Sequence, residues 1–176
     1  MKIILGVTGS ISAYKAVDIM RMFQKNDHEV SVIMTKSAKK FIAPLTFETF
    51  APGKVYYKQF KKDQDPLLHI NICSAHDLFL IAPASANMIG KIANGIADDL
   101  LSTTILAFQK RVIVAPAMNT NMYLNPMVTG NITKLKSVGV EIIEPEEGSL
   151  ACSTEGKGRL PSVESIYNYC LGIENV

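Results

Sequence analysis

Tryptophan is missing from this 176-residue sequence, and cysteine occurs at positions 73, 152 and 170 only. An odd, scattered set without a CxxC pair excludes a disulfide framework and offers no cluster of zinc ligands, so no metal site is expected and a reducing compartment fits best. Long hydrophobic runs are lacking too, since nothing approaches the ~18 consecutive apolar residues that a membrane span needs. The stretch from Ile3 to Val7 is too short for the core of a signal peptide before Gly9 interrupts it. A cytoplasmic protein without membrane attachment is therefore expected. Charge is also scarce. With 18 basic against 16 acidic side chains, the chain lacks the cationic excess through which bulk charge binds nucleic acid, and with 48% hydrophobic residues it is equally unlike a disordered segment. So few charges point to a surface unusually apolar for a monomer. No repeat, linker or low-complexity tract divides the chain, and one domain over residues 1–176 is expected.

What is present is a series of short apolar runs, Ile3–Val7, Val30–Met34, Leu78–Ala82, Val112–Ala115 and Val140–Ile143, rich in Val, Ile and Leu and mostly without alternation. Runs of that kind read as strands buried on both faces of a parallel sheet. Helical patterns lie between them. Ala16, Met20 and Phe23 share one face of the first; Asn125 and Pro126 announce a later helix as cap and first residue, ending at Gly139; Pro161 and Ser162 precede the last. The segment LTFETF reads as helix or strand, and VYYKQF as a short edge strand. The fold class that results is α/β, a Rossmann-like (flavodoxin-like) open parallel sheet with helices on both faces in three layers. Such sheets bind ligands at the carboxyl ends of their strands.

Four segments of small and polar residues follow strand ends. Thr8-Gly9-Ser10-Ile11-Ser12 opens a helix directly after the first strand, as an anion cradle would, or as a plain N-cap would. It is neither GxGxxG nor a Walker sequence. Thr35-Lys36-Ser37 adds hydroxyls at the same sheet edge. Pro83-Ala84-Ser85-Ala86-Asn87 lets backbone approach a flat ligand, and Pro116-Ala117-Met118-Asn119-Thr120-Asn121-Met122 places an amide at a strand's carboxyl end, where turn chemistry alone would also explain it. The stretch of about 146–161, GSLACSTEGKGRLP within it, is either a surface loop with an incidental cysteine or a closing lid that carries a thiol and two cations. Asn94, Asp98 and Asp99 mark a subunit interface or site wall, or else a solvated helix face. His69 sits on a helix that leads into the central strand, where histidine is more often structural than a base.

In that order, TGSISAYK, His69, PASAN, PAMNTNM and the ACSTEGKGR loop resemble the flavin-dependent cysteine decarboxylase family, over residues 2 to about 170. The resemblance implies a Rossmann-like domain that binds FMN between subunits of a homo-oligomer, a trimer or a dodecamer. It implies that Gly9, Ser10, Ile11, Thr35 and Ser37 contact the FMN phosphate and ribityl side, and that Ser85, Ala86, Asn87, Met88 and Ala117 line the flavin. His69 matches the family's catalytic histidine, Asn119 its substrate-carboxylate ligand and Cys152 the thiol of its closing loop, with Met122, Ala151, Lys157 and Arg159 on the substrate. Met88 stands where the family often has threonine, and Ser153 where it often has glycine. The implied reaction is decarboxylation of phosphopantothenoylcysteine to 4′-phosphopantetheine on the way to coenzyme A: flavin oxidises the substrate to a thioaldehyde, CO2 leaves, and the enethiol is reduced again with a proton from Cys152. Family members in many bacteria continue into a synthetase domain, so a chain ending at Val176 is expected to perform the decarboxylation alone. Lys157 and Arg159 favour a phosphorylated small molecule over the cysteine-ended peptide that lantibiotic-processing relatives decarboxylate. A flavin-binding regulatory relative without catalysis, and a flavin prenyltransferase on a similar fold, are the other readings.

Overall fold

The computed structural model describes residues 1–60, 65–149 and 155–173. Six parallel strands form the main sheet: β1 (Lys2–Val7), β2 (Glu29–Met34), β3 (Val55–Tyr56), β4 (Leu78–Ala84), β5 (Arg111–Pro116) and β6 (Glu141–Ile142), in the spatial order β3-β2-β1-β4-β5-β6. This is the order of the doubly wound dinucleotide-binding sheet rather than that of flavodoxin, with its reversal point between β1 and β4. The five apolar runs all became strands, and the edge strand expected in VYYKQF is β3, two residues long beside β2.

Helices α1 (Lys15–Lys25) and α8 (Val163–Leu171) cover one face of the sheet. Helices α3 (Leu68–Ala75), α4 (Ala86–Ala93), α5 (Leu100–Ala107) and α7 (Pro126–Ser137) cover the other. Because side chains alternate along a strand, Ile3, Leu5 and Val7 meet α1 while Ile4 joins the far cluster with Phe79 and Ile81. Both faces need apolar partners, which is why the sequence shows runs and not alternation. The ambiguous LTFETF supplies α2 (Pro44–Glu48), with Pro44 at its first position and Phe47 buried. Asn125 caps α7 by accepting the Met127 N–H at 2.9 Å, and Ser162 caps α8 by accepting that of Ser165 at 3.0 Å. Asp99 and Ser102 form a capping box on α5, and Lys91 bridges Asp98 and Asp99 at 2.5 and 2.8 Å, so that acidic pair is spent within the chain.

Within the long loop expected after β6, β7 (Glu146–Ser149) pairs with β8 (Glu155–Arg159) as an antiparallel ribbon. A short helix, α6 (Thr120–Tyr123), packs against β8. No helix among the described residues is long and apolar enough to cross a membrane, and no group of three or more metal-ligating side chains occurs among them.

Candidate active site

Thr8, buried at the end of β1, joins two turns through one hydroxyl: Oγ1 donates to the Pro83 carbonyl and accepts the Ser85 N–H, both at 2.8 Å. Gly9 follows. A Cβ there would stand 2.5 Å from Cβ of Ser37, so only glycine lets the turns after β1 and β2 touch. Ser10 then caps a 3₁₀ turn over Ile11–Tyr14, and Ser85 caps α4 by accepting the Met88 N–H at 3.4 Å. Two helix starts thus bring N–H groups without intrahelical acceptors, and the positive ends of their dipoles, to one opening at the reversal point of the sheet.

A cleft of about 710 Å³ opens there. Gly9, Ser10, Ile11 and Ser12 line it from the β1 turn, Ser85 and Ala86 from the β4 turn, and Ala117, Met118, Asn119 and Met122 from the β5 turn. Gly158 and Arg159 enter from β8, while Tyr14, Lys15 and Phe41 complete the lining. Asn119 caps α6, its Oδ1 accepting the Asn121 N–H at 2.8 Å, which fixes the orientation of the carboxamide at the cleft edge. The Gly158 carbonyl accepts the Met118 N–H at 3.0 Å. At φ +152° a Cβ on Gly158 would lie 2.2 Å from the Met118 oxygen, so the ribbon can approach the Asn119 turn this closely only through glycine. Small residues on three turns leave room for a flat ring and two helix starts suit its phosphate, a set that fits a flavin, while Lys15 and Arg159 add two cations to the lining.

The structure sorts the residues singled out in the sequence. Gly9, Ser10, Ile11, Ser85, Ala86, Ala117, Asn119, Met122 and Arg159 share the cleft. Thr35 and Ser37 stand behind its wall: Thr35 Oγ1 accepts the Ala38 N–H at 3.2 Å, and Ser37 backs Gly9. The Met88 side chain turns away into the far-face core at 1% exposure, and Asn87 next to it faces outward. Lys157 does not line the cleft, because Glu144 holds its ammonium at 2.9 Å. His69, half-buried on α3, does not line the cleft of its own chain either. Ala151, Cys152 and Ser153 lie outside the described residues. Sequence reasoning missed Ser12, Tyr14, Lys15, Phe41, Met118 and Gly158 as lining residues. Three of them fall within TGSISAYK, whereas Phe41 follows β2 by a 3₁₀ turn and carries no local signal.

The sequence model described as Flavoprotein matches residues 1–173. The chain belongs to this family. Among its relatives, the Coenzyme A biosynthesis bifunctional protein CoaBC of Bacillus subtilis is 46% identical over 165 residues, 93% of this chain and 41% of that protein. The chain thus spans about two-fifths of the length of that relative. The Probable phosphopantothenoylcysteine decarboxylase of Streptococcus mutans is 42% identical over 168 residues and is matched over 94% of both chains. Among solved structures, a mutant of PPC decarboxylase complexed with pantothenoylaminoethenethiol superposes with a TM-score of 0.85 at 33% identity, covering 97% of this chain and 96% of the other. The FMN binding protein AtHal3 gives 0.82 at 34% identity, over 97% and 94%.

Proposed function

We propose that this flavoprotein is an FMN-dependent decarboxylase that converts 4′-phospho-N-pantothenoylcysteine to 4′-phosphopantetheine in coenzyme A biosynthesis. The observation that carries this reading is the end-to-end match, 94% of both chains, to a relative bearing that name. The cleft supports it, because the residues gathered there are those the substrate's parts require. Asn119 would hold the carboxylate through its oriented amide, and Arg159, with Lys15, would attract the phosphate. When bound, FMN would supply the reversible two-electron oxidation that loss of CO2 from a cysteine carboxylate requires. The starts of the 3₁₀ turn and of α4 would hold its phosphate, with Ser10 and Ser85 beside them.

His69 would bring the substrate thiol to its reactive state, and Cys152 would return a proton to the enethiol. Since His69 does not line the cleft of its own chain, it would reach the substrate from a second copy. That supports a homo-oligomer with FMN at the subunit interface, which the family resemblance makes a trimer or dodecamer in the cytoplasm. Exposed Ile11, Tyr14, Phe41 and Met122 along the cleft give such a contact apolar area to bury.

Purified protein should be yellow, or become so with FMN, and should release CO2 from phosphopantothenoylcysteine but not from a cysteine-ended peptide. A protein that cannot be loaded with FMN, or that is loaded and inert on this substrate, overturns the reading. Release from the peptide alone reassigns the substrate.

A further inference from the structure

Glu144, between β6 and β7, lies outside every motif described above, yet its carboxylate gathers donors from three different side chains. Tyr123 Oη donates to Oε2 at 2.6 Å, Lys157 Nζ reaches the same oxygen at 2.9 Å, and Lys136 Nζ lies 2.9 Å from Oε1. Tyr123 is buried, so its hydroxyl needs an acceptor in the protein, and the Lys157 ammonium also lies 5.6 Å from the centre of the Tyr123 ring. The hydrogen bond from Tyr123 and those from the two lysines hold the Glu144 carboxyl down to about 2.

These donors come from three elements, α6, α7 and β8. Helix α6 starts at Asn119, and β8 runs from Lys157 straight into Gly158 and Arg159, which line the cleft. The bond from Met118 N–H to the Gly158 carbonyl ties the same two segments at the cleft wall. One carboxylate away from that wall therefore fastens the ribbon to the turn that presents Asn119.

We propose that Glu144 is a positioning residue of the cleft: by gathering Tyr123, Lys136 and Lys157 it fixes the root of the ribbon against the Asn119 turn, and so sets where Arg159 meets the substrate. The kinetic part of this proposal rests on the decarboxylase reading. Lys157 then acts through Glu144 and not on the substrate phosphate. The two roles predict opposite results for Glu144→Gln. If Lys157 served the phosphate directly, freeing it would leave KM unchanged or lower it; if Glu144 positions the ribbon, KM rises.

The test combines steady-state CO2 release from phosphopantothenoylcysteine, FMN titration and amide hydrogen exchange at Met118, in wild type, Glu144→Gln, Lys157→Met and the double variant. Both altered side chains are partly exposed, so the variants should fold, and FMN affinity should stay as in wild type. KM should rise about fivefold to tenfold in either single variant and no further in the double, as expected of two groups acting as one unit. The Met118 amide should exchange on the order of tenfold faster, reporting local opening at the ribbon root. Unchanged exchange, or a KM at or below the wild-type value in Glu144→Gln, overturns the proposal. A wild-type protein that binds FMN but releases no CO2 sinks only the decarboxylase reading, and the exchange comparison still decides whether Glu144 fixes the ribbon.

Discussion

The two ends of the parallel sheet carry polar residues of similar kinds and use them in opposite ways. At the amino end they are matched to one another. The Lys2 N–H donates to Asp77 at 2.8 Å, His76 bonds the Ile72 carbonyl at 2.7 Å and Ser31 Oγ at 2.9 Å, and Lys110 donates to the His76 carbonyl at 2.5 Å. Arg111 grips Glu141 at 2.7 and 2.9 Å and also caps the last carbonyls of α8 at Tyr169 and Cys170. At the carboxyl end, helix starts and the cations Lys15 and Arg159 face a cleft, and among the described residues neither cation has an ion-pair partner. The difference follows from parallel topology: strands run toward helix N-termini, so unmatched donors collect at one end, where a ligand can use them. Stability should therefore reside at the amino end and activity at the carboxyl end.

The largest predicted effect strikes the carboxyl end. Gly158→Ala sets a Cβ against the Met118 oxygen and disfavours the local backbone, so the ribbon must retreat from the Asn119 turn. Misplacement on the order of an ångström costs roughly 100-fold in kcat/KM. The helix starts that would hold the FMN phosphate are untouched by this change, so flavin content should stay near wild type. A variant of normal activity would mean that the approach of β8 is irrelevant to chemistry; loss of flavin would mean that cradle and ribbon are not separable.

His76→Ala should do the reverse. It deletes a buried ring and strands Ser31 Oγ, itself buried, at a cost of about 3 kcal/mol. For a chain of this size that is roughly 6–12 °C in Tm. The kcat/KM of the folded fraction should be unchanged, and a large loss of activity would erase the division between the two ends. Arg111→Met tests the same division more gently. Its guanidinium is partly exposed, which discounts the ion pair, and a loss of about 1–2 kcal/mol should appear in urea unfolding without change in KM.

Much of this arrangement was readable in the sequence, and what was not has physical causes. Strands buried on both faces announce themselves by composition, and Asn125 with Pro126 or Ser162 by cap chemistry, because those signals are local. The turns that build the cleft were likewise readable, since they follow strand ends. Which way a side chain points within a turn was harder. Met88 lies in phase with Ile89, Ile92 and Ala93 on the apolar face of α4, a periodicity that places it in the core and away from the flavin side of the motif. Phe41, the pairing of Lys157 with Glu144 and the ribbon root depend on contacts distant in sequence, which no local pattern encodes.

The smallest predicted effect is a difference in acid sensitivity. Burial holds the His76 pKa below its usual 6.5, with the Ile72 carbonyl working against that shift. The unfolded chain therefore takes up a proton that the native state refuses as pH falls below about 6.5, and stability declines from there toward the lowered native value. Glu144 works in another window. Its native value is about 2 against 4.5 unfolded, so its contribution is complete above 4.5 and is lost as pH drops toward 2. The amino end should thus weaken first on acidification and the ribbon root later. Urea midpoints between pH 7.5 and 5 should fall less steeply in His76→Gln than in wild type. A residual slope should remain from His28, whose pKa is also lowered, first by burial. Glu144→Gln should leave that upper window untouched and flatten only the decline below pH 4.5. If instead Glu144→Gln flattened the range above pH 5, the two ends of the sheet would be electrostatically coupled, and the division of labour between them would hold for geometry but not for charge.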